Sequence, residues 1–495
     1  MYKRQEVSWA DAVRTGALGR TCFEQRACVL ARSVAEGAEV LEALASGGSD
    51  GRLLLGKKET GKVAVLFTGQ GSQRAGMGAE LYERYAEFRR ALDEVSSELM
   101  GELGRDIREL MFAEAGTRES ELLEETQYTQ PALFALEVSL FRQWEWFGLK
   151  ADVVMGHSVG ELSAAHVSGV LSLKDAAKLV SARGRLMQSC ERGGWMVSVE
   201  ASESEVLSRL ADIAGAVSVA GLNGPRQTVV SGDAEAMSAL VEQLTSEGYR
   251  TRRLRVSHAF HSAHMDGMLE ELGRVAESCE YGEPRLELVS LLTGELASEE
   301  LRTAAHWVKQ ARESVRFTQG IAALQSLGAR HYLECGPDGV LSALGAGCVS
   351  GEESSRFVPS QRKNVSEAES LLRALGELHV QGVELDWSRV LEGNGGRLVQ
   401  APTYAFQRER YWLTERAPRK DVKSLGLSPT GHALLGAQTS LADSDAFVFS
   451  SVLSLRDQAW LADHAVFGVV LIPATAMLDI ALVVGREVGA ADLAE

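Results

Sequence analysis

Val153-Val154-Met155-Gly156-His157-Ser158-Val159-Gly160-Glu161-Leu162 is the stretch around which the rest of the chain is organised. A short apolar run ends in Gly-x-Ser-x-Gly, and a helix-forming run, Glu161 to Val167, follows. Apolar strand, tight turn and helix are together the context of a nucleophile elbow. Gly156 and Gly160 let strand and helix approach closely, and the turn holds Ser158 on an exposed, strained corner. The backbone N–H groups after Ser158 lie at a helix N-terminus, where developing negative charge is favoured. In a chain with 49 glycines the motif alone is weak, so a base for the serine has to be found among only 10 histidines.

Downstream, Ser172-Leu173-Lys174-Asp175 starts a second helix with a capping-box pattern, ending near Glu191. Its apolar stripe is Ala176, Leu179, Val180, Arg183 and Met187, so an arginine points to the core side. A buried guanidinium needs an anion, either an internal carboxylate or the carboxylate of a substrate held bidentately. Residues 195–256 then read β-α-β-β-α-β, a ferredoxin-like unit inserted into a larger α/β domain. Directly after it comes His258-Ala259-Phe260-His261, at the seam between subdomains where clefts form. Either histidine could serve Ser158.

Upstream, the strand Val63–Phe67 runs into Gly69-Gln70-Gly71-Ser72-Gln73, a tight loop whose N–H groups can face an oxyanion. No Gly-Lys-Ser/Thr follows, so a phosphate loop is not indicated. The helix carrying Pro131 is expected from Gln130 to Phe147, with the proline in its first turn. Residues 6–58 form a small packing unit that ends in a Gly- and Lys-rich connector. The large domain resumes with strands near 286–292 and 331–334 and the turn Gly336-Pro337-Asp338-Gly339. An aromatic and arginine-rich run, Pro402 to Trp412, is expected to pack on the domain, and 416–430 is a polar linker.

Composition narrows the function class. At 495 residues about three domains are expected. A net charge of −17 disfavours a nucleic-acid partner. The six cysteines are scattered without CxxC, which fits reduced thiols in the cytoplasm and neither disulfides nor a zinc site. No secretory signal opens the chain, and the apolar run Val469–Val484 is interrupted by Pro473 and Asp479, so no membrane span is expected. His464 and Asp479 are too far apart for a metal pair. Both ends read as cut, so a longer polypeptide is expected.

Taken together, the Gly69–Gln73 loop, the elbow, Arg183 standing 25 residues after Ser158, His258–His261 and Gly336-Pro337 resemble malonyl-CoA:acyl-carrier-protein transacylases. Residues 6–58 resemble the linker between ketosynthase and acyltransferase of type I modular polyketide synthases, and Pro402–Leu413 the segment after the acyltransferase. His464-x3-Gly468-x4-Pro473 resembles the start of the dehydratase hotdog. The resemblance implies an α/β-hydrolase-like large subdomain with a parallel sheet, an inserted ferredoxin-like subdomain and a C-terminal partial hotdog. It implies a linker at 6–58, an acyltransferase at 62–350, a further linker at 351–416 and a truncated dehydratase part at 431–495.

By position the resemblance makes Ser158 the nucleophile, His261 the base with a backbone carbonyl orienting it, and Arg183 the clamp on the malonyl carboxylate. Gln70 and Val159 become the oxyanion donors through their backbone N–H groups. His258 and Phe260 become substrate-binding residues. It implies no cofactor bound by this chain, malonyl-CoA as substrate, and transfer to the phosphopantetheine thiol of an acyl carrier protein. The partners implied are that carrier, the ketosynthase and other domains of the same synthase. Trp195 stands where the family has alanine, and Ala474 where dehydratases have glycine. The alternatives are a methylmalonyl-selective relative, a serine esterase or thioesterase, and a non-catalytic scaffold.

Overall fold

A computed structural model of the protein describes residues 7–210, 216–349, 355–402, 409 and 421–490. The chain falls into two units, 1–402 and 403–495.

The first unit begins with the helix Trp9–Leu18 and a two-stranded antiparallel sheet, β1 (Gln25–Val29) with β2 (Leu53–Lys57). The second of these strands falls where the sequence was read as a connector. Its Leu53-Leu54-Leu55 run pairs with β1 and packs under the helix Glu367–Gln381, where a Cβ on Gly376 would sit 2.8 Å from Leu54 and 2.9 Å from Cys28.

Behind the site lies a six-stranded sheet built from β3 (Lys62–Phe67), β4 (Val153–Gly156), β9 (Glu287–Ser290), β10 (Glu295–Leu296), β11 (Ala329–Cys335) and β12 (Arg356–Pro359). Its order is β10-β9-β4-β3-β11-β12, parallel throughout except for β10. Helices cover both faces, so the inner strands are apolar on both sides rather than alternating. Val63, Val65, Phe67 and Val154 enter one core, and Ala64, Leu66, Val153 and Met155 the other. The last strand, β12, lies past residue 350, so the sheet extends beyond the edge expected from sequence.

The inserted subdomain holds β5 (Trp195–Val199), β6 (Val217–Gly224), β7 (Gln227–Gly232) and β8 (Thr251–Arg253). Their antiparallel order β6-β7-β5-β8 is the ferredoxin-like arrangement, with the helices Glu203–Leu210 and Ala234–Ser246 on one face. The proline helix runs Thr126–Trp146, one turn earlier than expected, and Pro131 lies inside it. The extra turn is closed from outside: the Glu125 carbonyl accepts from the N–H groups of Tyr128 and Thr129, and Gln188 Oε1 accepts from Thr126 N.

The second unit, described by itself, has an antiparallel sheet β13 (Ser428–His432), β14 (Leu435–Ser440), β15 (Phe447–Ser450). A short hairpin β16 (Ala465–Val466) and β17 (Val469–Val470) and the helix Ala474–Glu487 follow. These antiparallel strands and single helix fit the start of a hotdog. The aromatic run singled out in the sequence lies outside the described residues from 403 to 413, apart from Pro402 and Glu409. Among the described residues no helix is long and apolar enough to cross a membrane.

Candidate active site

β4 is an inner strand, and its C-terminal end turns at His157-Ser158-Val159 into the helix Gly160–Ser168. A Cβ on Gly156 would collide with the Gly160 carbonyl, and one on Gly160 would come within 2.5 Å of the Phe67 and Thr68 carbonyl oxygens. Only glycine lets strand, helix and the neighbouring strand close at this corner. Ser158 has φ +52° and His261 φ +55°. A left-handed non-glycine residue costs about 1–3 kcal/mol, and the two that carry the strain here face each other.

Ser158 Oγ lies 2.9 Å from His261 Nε2, and His261 Nδ1 lies 2.8 Å from the Glu313 carbonyl oxygen. A carbonyl can only accept, so Nδ1 carries the ring proton and Nε2 offers its lone pair to the serine hydroxyl. Burial first, and the Arg183 charge second, push the His261 imidazole down to about 3, against the pull of the Glu313 carbonyl. The imidazole is therefore neutral at neutral pH and free to take a proton from Ser158.

His258 does not reach Ser158. Its Nδ1 is 2.8 Å from Ser257 Oγ, its Nε2 has no partner among the described residues, and its ring lies 5.8 Å from that of Phe260. His258 and Phe260 are both buried, Phe260 in the larger core.

Arg183 is 3% exposed. Its Nη2 donates to Ser158 Oγ at 3.1 Å and its Nη1 to Gln130 Oε1 at 2.8 Å, while Nε has no partner. Burial lowers its pKa to about 10, so it stays charged at neutral pH. Among the described residues it forms no ion pair, so the internal-carboxylate alternative left open by the sequence finds no partner here. A cation held beside the serine with its Nε–H unused is built to receive an external anion.

The Gln70 side chain is fixed from both ends: its Nε2 donates to Thr126 Oγ1 at 3.2 Å, and its Oε1 accepts from Gln130 Nε2 at 3.3 Å. The early start of the proline helix is what brings Thr126 here, one turn before Gln130. Among the described residues no group accepts from the backbone N–H of Gln70 or of Val159.

Sequence reading missed the layer beneath. Gln310 Nε2 donates to the Ser158 carbonyl at 2.6 Å and reaches Glu161 Oε2 at 3.4 Å. Glu161 is fully buried and accepts from Ser290 Oγ at 2.7 Å, with His306 Nε2 at 3.1 Å. Glu161 opens the elbow helix, and only its place in an otherwise small and apolar turn hinted at burial. Gln310 and His306 sit on an ordinary amphipathic helix, Ala304–Arg312, and carry no sequence signal.

In the second unit His464 is exposed and its Nδ1 lies 3.0 Å from the Leu471 carbonyl. Gly468 turns the β16–β17 hairpin with φ +80°, and Pro473 starts the last helix. Among the described residues no cluster of histidine, cysteine and acidic groups could hold a metal.

Residues 65–385 match the family model of the acyl transferase domain. The chain belongs to the acyl transferase domain family. Residues 432–495 match the polyketide synthase dehydratase domain, so the acyl transferase domain is followed by the start of a second one. The polyketide synthase GfsA of Streptomyces halstedii is 47% identical over 486 residues, covering 97% of this chain and 6% of that protein. The spectinabilin synthase protein NorB of Streptomyces orinoci is 43% identical over 92% of this chain and 21% of its own length. The chain thus spans only a small part of the curated relatives it matches. The acyltransferase domain from the second module of the salinomycin polyketide synthase superposes with a TM-score of 0.72 at 45% identity, covering 80% of this chain and 90% of that one. A malonyl-CoA:acyl carrier protein transacylase of Xanthomonas oryzae matches at 0.57 and 32%, over 63% and 98%. The chain is an acyltransferase of the type I polyketide synthase kind.

Proposed function

We propose that this acyltransferase loads a malonyl unit from malonyl-CoA onto the phosphopantetheine thiol of an acyl carrier protein, by way of a malonyl ester on Ser158. The observation that carries the reading is one oxygen, Ser158 Oγ, held between a neutral imidazole at 2.9 Å and a buried guanidinium at 3.1 Å. His261 takes the hydroxyl proton as Ser158 attacks the thioester carbonyl, and the protonated ring returns it to the leaving CoA thiolate. The N–H groups of Gln70 and Val159 receive the oxyanion. Arg183 leaves the hydroxyl to hold the malonyl carboxylate with its fork. The carrier thiol then repeats the sequence in reverse, and exclusion of water slows hydrolysis of the ester.

Malonyl rather than methylmalonyl is the unit we assign. Val159 is small and apolar, and the Phe260 ring beside His261 fills volume that an α-methyl group would need. A thioesterase would hydrolyse its ester and would have no use for a buried, unpaired Arg183. We divide the chain as 6–58 linker, 62–350 acyltransferase core with β12 completing its sheet, 351–416 linker and 431–495 dehydratase start. The synthase's ketosynthase and carrier are the partners we assign, in the cytoplasm, with no cofactor of its own.

The test is intact-protein mass spectrometry after mixing with malonyl-CoA. One malonyl group should appear on the wild-type chain and none on Ser158→Ala. A malonyl group retained stably by the variant would sink the assignment.

A further inference from the structure

The two N–H groups assigned to the oxyanion come from different chain segments, Gln70 after β3 and Val159 in the elbow. Such a pair works only while its spacing is fixed. β3 and β4 run side by side as far as Phe67 and Gly156, and the last main-chain bond between them goes from the His157 N–H to the Phe67 carbonyl at 2.9 Å. Beyond that point the chains part, one into the Gly69–Gln73 loop and the other into the helix Gly160–Ser168. Among the described residues no main-chain hydrogen bond joins 68–73 to 158–163.

A buried carboxyl bridges them instead. Glu137 Oε1 accepts from Thr68 Oγ1 at 2.7 Å, and Glu137 Oε2 accepts from Ser163 Oγ at 2.6 Å. Thr68 stands two positions before Gln70, and Ser163 one helical turn after Val159. All three side chains are buried. A Cβ on Gly336 would collide with the Thr68 side chain, so the Gly336-Pro337 turn packs directly on this arm of the bridge. Glu137 belongs to the proline helix, which also carries Thr126 and Gln130, the partners of the Gln70 side chain.

An acid is a costly residue for this position. Burial, with the Glu334 charge adding to it, pushes the Glu137 carboxyl up to about 8 against the pull of the two hydroxyls. An apolar side chain of similar volume would fill the space without that desolvation. It could not hold two hydroxyls. A neutral acid donates at one oxygen and accepts at the other, and a hydroxyl can answer either, so the bridge survives a change of protonation. A second, longer link between the segments runs from Gln70 through Gln130 and Arg183 to Ser158 Oγ. That link opens when Arg183 leaves the serine for a carboxylate, and the Glu137 bridge remains.

We propose that Glu137 is a positioning residue for acyl transfer, a clamp that sets the distance between the two oxyanion donors by tying Thr68 to Ser163. It rests on the acyl-transfer reading only for the assignment of the Gln70 and Val159 N–H groups as those donors. The clamp touches neither substrate nor Ser158, so its loss leaves binding intact and weakens stabilisation of the tetrahedral intermediate.

The test uses the full chain and two reagents that acquire an oxyanion-like oxygen at Ser158, malonyl-CoA and a neutral fluorophosphonate, with single-turnover mass spectrometry as the readout. Glu137→Met should slow both reactions about tenfold, less than the 100-fold or more that outright loss of a donor costs. Half-saturation by malonyl-CoA should stay within about twofold of the parent, as expected for an interaction felt only in the transition state. Glu137→Gln, which still accepts at one end and donates at the other, should stay within about twofold of the parent in rate. Thr68→Val should slow both reactions in the parent and add nothing in the Glu137→Met background, because the two changes cut one bridge. Ser163→Ala should behave as Thr68→Val does, and these two variants carry the test if Glu137→Met does not fold. Unchanged rates in Glu137→Met, with or without a lower Tm, overturn the clamp, as do equal losses in Glu137→Gln and Glu137→Met. Additive losses from Thr68→Val and Glu137→Met overturn it too. If fluorophosphonate labelling shows the expected pattern while the parent never acquires a malonyl group, the clamp stands and the acyl-transfer reading falls.

Discussion

The two units each carry a motif with a histidine, and they differ in what surrounds it. His261 is buried, strained, and fixed by a carbonyl on one nitrogen and a serine on the other. His464 is exposed, and a single carbonyl at 3.0 Å holds its Nδ1. Around it Phe467, Val469 and Leu471 are open to solvent. A motif spells out which residues are present, whereas chemistry needs their partners within hydrogen-bond reach in a site that excludes water. In the first unit separate chain segments supply those partners. Among the described residues of the second unit, none beyond the Leu471 carbonyl does.

The contrast breaks first at Arg183. Arg183→Ala should lower the rate of malonyl loading by about 100-fold or more, each charged hydrogen bond being worth ~1.5–3 kcal/mol, and should spare or raise acetyl loading. Arg183→Lys should rescue little, because a fork becomes a point charge. Unchanged malonyl kinetics in both would make the guanidinium a packing group.

Extender choice sharpens the same site. In competition between equal malonyl-CoA and methylmalonyl-CoA, the acyl-Ser158 ratio should favour malonyl by ~10–200-fold, the range for one methyl group in an apolar pocket. Phe260→Ser with His258→Tyr should relax that ratio without reversing it. A wild-type ratio near one removes the steric argument.

Gln310 tests the buried layer. Gln310→Leu leaves the Ser158 carbonyl with only the Glu161 N–H and orphans one oxygen of Glu161, at about 1–3 kcal/mol of stability. It should also slow acylation about tenfold with little change in KM, as expected where a strained nucleophile is less firmly placed. A lower Tm with unaltered kcat would reduce it to a packing residue.

The pH profile is subtler. With the His261 imidazole pushed down to about 3, loading should stay nearly flat from pH 7 to 5, where an ordinary histidine would already be protonated. An acid limb near 6.5 would refute the buried neutral base. The sign for stability follows: the unfolded chain binds a proton below about 6.5 and the folded site does not, so this group costs stability as pH falls from 6.5 towards 3. Glu137, buried under Thr68 and Ser163 and pushed up to about 8 by burial, acts oppositely, costing stability as pH rises from 4.5 through 8.

The smallest effect expected is none. His464→Ala should leave malonyl loading unchanged, and the chain should not dehydrate a 3-hydroxyacyl thioester. Either activity changing with His464 would erase the distinction between the units.

The parts of this structure legible in the sequence are those governed by local rules. The elbow showed through its glycines, which the close approach of strand and helix requires, and Arg183 through its place on an apolar stripe. The inserted subdomain showed through its alternation of strand and helix. Contacts between distant segments did not show. The Glu313 carbonyl that orients His261, and Gln310 beneath Ser158, are set by where one helix packs. The extra turn before Pro131 was hidden because a side chain far along the sequence, Gln188, caps it. Strand β2 was hidden because glycines and lysines around Leu53–Leu55 read as loop.

The inserted subdomain starts at β5 and finishes at β8, and these two strands are neighbours. An insertion whose two ends leave its host side by side is a cassette: it can be exchanged between homologues without stretching the host. Here the exit runs straight into His258–His261, so a graft that lengthens β8 by one residue would displace the imidazole from the serine. Recombination at this junction is therefore tolerant of sequence and intolerant of length, and chimaeras should be cut on the helix side of Trp195 and beyond Ser262.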